Sequence, residues 1–78
     1  MEIPVFVNGA RVEVAVGAPV IDAVRKWNAA MAQELERGGR ALTDSRGLPL
    51  DPSSPTVAGT IVRVIAAREG TGDAEEAL

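Results

Sequence analysis

A chain of 78 residues, 46% apolar and 24% charged, has the composition of one small globular domain. A single core must offset the conformational entropy of the whole chain, which leaves no room for a buried catalytic cleft. The sequence contains neither Cys nor His, which removes disulfides, thiolate nucleophiles, iron–sulfur and structural zinc sites, the usual general base and the commonest metal ligand. Eight basic side chains against eleven acidic ones give a net charge of −3, a field that slightly repels nucleic acid and anionic membranes.

The first sixteen residues alternate. Ile3, Val5 and Val7 fall on one side, with Pro4, Phe6 and Asn8 on the other, and Val12, Val14 and Val16 then oppose Arg11, Glu13 and Ala15. Asn8-Gly9 between the two runs predicts a type I′ hairpin, because both residues tolerate positive φ. Pro4 cannot donate to a ladder, so its nitrogen must face a position that needs no partner. Gly17-Ala18-Pro19 ends the second strand, and Pro19 suits a helix start. Ile21, Val24, Trp27 or Asn28, Met31 and Leu35 recur at spacings of three and four, which predicts one amphipathic helix of about four to five turns. Trp27 and Met31 are read as core residues, and Gly38 as the left-handed cap.

Leu42 to Leu50 reads as two short arms about an Asp44-Ser45-Arg46-Gly47 turn, anchored by Leu42, Leu48 and Leu50. Asp51 to Pro55 is loop and Thr56 to Thr60 a turn. Ile61 to Ala67 is a β-branched strand. From Glu69 onward a polar, acidic stretch has no core-forming pattern, and a mobile tail is expected. The domain division is therefore 1–68 for the folded unit and 69–78 for the tail. One helix must cover one face of a mixed sheet of four to five strands, and the last strand pairs most economically in parallel with the first. That is an α+β architecture of the β-grasp, or ubiquitin-like, type.

Three segments carry a resemblance: Val5-Phe6-Val7-Asn8-Gly9-Ala10-Arg11-Val12-Glu13-Val14, Gly17-Ala18-Pro19-Val20-Ile21-Asp22-Ala23-Val24, and Ala58-Gly59-Thr60-Ile61-Val62-Arg63-Val64-Ile65. The chain resembles the ThiS and MoaD type sulfur carriers and their ubiquitin-like relatives over most of its length, chiefly at fold-setting residues. The resemblance implies a non-enzymatic protein-binding module whose partner is an adenylating enzyme. In that family a terminal Gly-Gly threads a narrow channel, and its carboxylate becomes an acyl-adenylate and then a thiocarboxylate or conjugate. Here the corresponding stretch is Gly70-Thr71-Gly72, followed by Asp73 to Leu78. Thr71 interrupts the pair, so a carrier or modifier precursor requires cleavage after Gly72. The alternative is an adaptor or accessory subunit with no C-terminal chemistry.

No catalytic residue, cofactor or metal is expected. Asp44 and Asp51 flank a turn and are read as backbone acceptors rather than a paired acid and base. Asp73, Glu75 and Glu76 lack the Gly-punctuated loop of a calcium site. Arg37, Arg40 and Arg46 are ordinary loop and helix-end charges. The parity of the last strand is not fixed by its sequence. If Val62 and Val64 face the helix, Arg63 and Ile65 join Phe6 on the uncovered sheet face as a partner-binding patch. Scattered exposed apolar residues are the other reading of the same positions. Met1-Glu2-Ile3-Pro4 opens no signal-like apolar run, and no stretch approaches a membrane span of roughly 20 residues. A cytoplasmic protein is expected, with no membrane or nucleic-acid partner.

Overall fold

A computed structural model describes residues 1–67. Its elements are β1 (Glu2–Val7), β2 (Ala10–Ala15), α1 (Val20–Trp27), α2 (Ala29–Arg37), β3 (Arg40–Thr43) and β4 (Thr60–Ala66). They form an α+β fold with one four-stranded sheet in the order β2-β1-β4-β3. The Asn8-Gly9 turn joins β1 and β2 with φ of 51° and 84°, as the dipeptide requires. β1 and β4 run parallel from Val5 opposite Thr60 to Val7 opposite Val62, whereas β3 and β4 are antiparallel. Asn8 ties the turn to β4: its backbone N–H donates to the Val62 carbonyl at 3.0 Å, and its side-chain Oδ1 accepts from Val64 N at 2.9 Å.

The expected single helix is two helices. At Asn28 the backbone is extended (φ −163°, ψ 105°), and this residue serves both neighbours. Its N–H donates to the Val24 carbonyl at 2.7 Å, closing α1. Its side-chain Oδ1 accepts from Ala30 N and Met31 N at 3.0 and 3.2 Å, opening α2. Asn competes with the backbone for such bonds and favours caps over helix interiors. Gly38, at φ 85°, ends α2 with its amide on the Leu35 carbonyl.

α1 opens without a side-chain cap on Pro19. The amides of Val20 and Ile21 donate instead to the Ser54 and Pro52 carbonyls, both at 2.9 Å. Thr56, fully buried, secures this junction, since its Oγ1 and its N both donate to the Ala18 carbonyl at 2.9 Å. The Pro-rich loop is thereby the N-terminal cap of α1.

The helices lie on one face of the sheet. Ile3, Val5, Val7, Val14, Leu42 and Val62 from the sheet bury against Val20, Ala23, Val24 and Ala32. Trp27, Met31 and Leu35 are half-buried at the flank of this core. Two expected apolar positions differ. Val16 is 56% exposed, because the chain leaves the sheet at Ala15 and turns through Gly17 at φ 80°. Leu48 is 51% exposed and not an anchor; the second arm of the expected hairpin is a single bridge between Thr43 and Pro49, and only Leu42 and Leu50 contribute to packing. Among the described residues no helix is long and apolar enough to cross a membrane.

Candidate functional site: the uncovered sheet face

Register fixes which side chains share the face away from the helices. Val62 is buried and Val64 packs against the core, so Ile61, Arg63 and Ile65 project to the opposite side. Phe6 stands directly across from Ile61 on β4 and from Arg11 on β2. Ile65 lies opposite Ala41 and Arg63 opposite Thr43. The expected trio of Phe6, Arg63 and Ile65 therefore occupies one face, with Phe6 and Ile65 half-buried and Arg63 exposed.

The three are not one contact cluster. With strands about 4.8 Å apart and steps of about 3.3 Å per residue, Phe6 and Ile65 are roughly 14 Å apart, with Arg63 between them. Ile61, 48% exposed, is the residue that completes the patch beside Phe6, and sequence reading passed over it. The same parity that places Arg63 and Ile65 on this face places Ile61 there. Asn8, Gly9, Ile61 and Arg63 border a shallow depression where the β1–β2 turn meets β4.

The charges on the face differ in their partners. Arg11 donates to Glu13 at 2.8 Å along β2. Among the described residues Arg63 makes no ion pair, and on this face of β4 it stands between Ile61 and Ile65. The face thus presents Phe6 and Ile61, then the Arg63 cation, and then Ile65 with Ala41.

The other candidate residues are spoken for locally. Asp44 Oδ1 accepts from Arg46 N and Leu48 N at 2.8 and 3.0 Å. The Leu48 amide, with the Arg46 amide and guanidinium, holds its carboxyl below the usual carboxylate range against a partial desolvation. Asp51 Oδ1 accepts from Ser53 N and Oγ at 2.9 and 2.8 Å, which lowers its pKa in the same way. Each aspartate folds its own turn. Arg37 pairs with Glu34 and Arg46 with Asp44, each within its own segment. Among the described residues no group of three or more metal-ligating side chains converges. Gly70, Thr71 and Gly72, with the expected tail of 69–78, lie outside the described residues.

Searched against family models and against curated proteins, the sequence matches neither.

Proposed function

We propose that the chain is a non-enzymatic β-grasp module that binds a protein partner on its uncovered sheet face. The observation that carries this reading is the adjacency of Phe6 and Ile61 on that face, with Arg63 next along β4 and in no ion pair among the described residues. A solvent-facing sheet side is ordinarily polar, and an arginine flanked by apolar side chains suits the core of a protein interface. The partner surface that fits is apolar with a carboxylate opposite Arg63. The strand order, with a parallel central pair and helices crossing one face, supports the β-grasp assignment.

The most specific form of this function is a ThiS/MoaD-like carrier or a modifier precursor activated after Gly72 by an adenylating enzyme. The adaptor form involves no C-terminal chemistry. Intact mass of the chain isolated from its native host separates them. Loss of Asp73 to Leu78, or sulfur replacing oxygen at the new terminus, supports the carrier, whereas a full-length chain under all conditions supports the adaptor. For the carrier, an ATP–pyrophosphate exchange assay with the host's adenylating enzyme tests the face: Arg63→Glu and Phe6→Ser should each suppress stimulation while the domain stays folded. Stimulation undiminished in both variants would remove the face from the function.

A further inference from the structure

Among the described residues the β2 edge of the sheet is open along its whole length, and its charge pattern is self-complementary. The outer side of β3 is partly occupied, at its C-terminal end: Leu50 N donates to the Leu42 carbonyl at 2.9 Å, and Thr43 bridges Pro49. β2 has no such cover among the described residues. Its register with β1 runs unbroken from Ala10 to Ala15, without the bulge, proline or lysine that commonly blunts an edge strand.

Backbone direction identifies the groups that face outward. Pro4 turns its carbonyl toward β4, where it accepts from Gly59 N at 2.9 Å, and Asn8 N likewise faces Val62. Even-numbered residues of β1 thus face β4 and odd-numbered ones face β2. Their β2 partners alternate in step, so Val12 and Val14 bond inward while Arg11, Glu13 and Ala15 direct N–H and C=O away from the sheet. The Ala15 carbonyl is taken by Ala18 N at 3.0 Å. Both backbone groups of Arg11 and of Glu13 remain.

We propose that this edge pairs antiparallel with β2 of a second copy, about a two-fold axis at Val12. In that register Arg11 lies opposite Glu13 of the second copy and Glu13 opposite its Arg11. These are the residues whose free backbone groups must meet, so each pair exchanges two backbone hydrogen bonds. Each pair also sets opposite charges together on the same face. Shifting the axis to Arg11 or Glu13 opposes like charges, and a one-residue slip turns outward groups against inward ones. Val12, half-buried in one copy, meets Val12 of the other on the helix side. Ala10 of the second copy falls opposite Val14, beside which Asp22, Arg25 and Lys26 line an open depression. The contact is isologous and closes at two copies, because it uses the β2 edge of each copy and leaves neither edge free. Its small area makes a weak dimer.

Sedimentation equilibrium of the full chain, from the submillimolar to the millimolar range, should follow a monomer–dimer equilibrium. With rising concentration the Arg11 and Glu13 amides should gain hydrogen-exchange protection, while Val12, already bonded to β1, does not change. Arg11→Glu and Glu13→Arg should each remain monomeric, and their equimolar mixture should form a heterodimer, since every cross-strand pair is then attractive. The double exchange of both residues should restore homodimers, and it also covers the case in which a single variant folds poorly. A wild-type chain monomeric throughout, an association undiminished in both single variants, or assembly beyond two copies would overturn the proposal.

Discussion

Replacing Asn28 by Ala distinguishes a capped break from a continuous helix by the sign of the stability change. In the observed arrangement Oδ1 accepts from Ala30 N and Met31 N, two of the first-turn donors that have no partner within α2. Removing it costs about 1 kcal/mol, within a usual range of about 0.5–2. The backbone bond from Asn28 N to the Val24 carbonyl survives, and alanine tolerates extended φ and ψ, so no other loss is expected. For a domain of this size each kcal/mol lowers the melting temperature by about 4–8 °C. Were residues 20–37 one helix, the same change would replace a weak helix former by the best one and stabilise the domain by about 0.6 kcal/mol. Thermal unfolding followed by circular dichroism reads the difference. Asn28→Ser, which keeps a capping oxygen, should melt close to wild type. A rise in melting temperature on Asn28→Ala would refute the capped break.

Thr56→Val keeps the shape of a fully buried side chain and deletes the bond to the Ala18 carbonyl. Because Thr56 N still satisfies that carbonyl, chemical denaturation should record a loss of only about 1 kcal/mol, whereas a neutral result would mean that the hydroxyl adds nothing to the backbone bonds and packing at the junction. Val24, with no exposed surface, should not accept Asp: an uncompensated buried charge should unfold the domain, and a cooperative melt near that of wild type would contradict its place in the core. Asp44, whose folded pKa is depressed, contributes stability that is fully present above its unfolded pKa of about 4 and is lost as pH falls through the folded value. Asp44→Ala should therefore be less stable than wild type at neutral pH, with the gap closing under acid; a gap that persists unchanged in strong acid would assign the loss to something other than the ionised carboxylate.

The parts legible in the sequence are those governed by local rules. Asn8-Gly9 could take few conformations other than the turn it makes, and alternation on either side left Ile3, Val5, Val7 and Val14 facing the core. Gly38 likewise had one role at the end of a periodic segment. The break at Asn28 was hidden because apolar spacing continues through it: Val24, Trp27, Met31 and Leu35 suit one helix as well as two. The capping of α1 was beyond local rules altogether, since Thr56 bonds Ala18 from 38 residues away. A loop poor in apolar residues offers only backbone carbonyls as its contribution, and those are the same in every sequence. Val16 shows the opposite failure, where an alternation was extended one step past the point at which the chain leaves the sheet.

The uncovered face and the open edge share one physical origin. Two short helices suffice to cover one side of four strands, and nothing else among residues 1–67 is long enough to cover the other side or to add a strand beyond β2. They also adjoin, since Phe6 stands across from Arg11. If β2 pairs with its copy, the two β1 strands lie three strand spacings apart, or about 14 Å. The two Phe6 patches then fall on one continuous sheet with the four charges of Arg11 and Glu13 between them. A partner spanning that distance would engage both copies at once, and its affinity would rise with the dimer fraction. A partner confined to Ile61, Arg63 and Ile65, on the far side of β1 from the edge, would bind monomer and dimer alike. Partner affinity measured at one concentration on wild type, on Arg11→Glu and on the double exchange of Arg11 and Glu13 thus separates the two: equal values place docking on the β4 side alone, and a loss in Arg11→Glu that the dimer-restoring double exchange recovers places it across the two-fold axis.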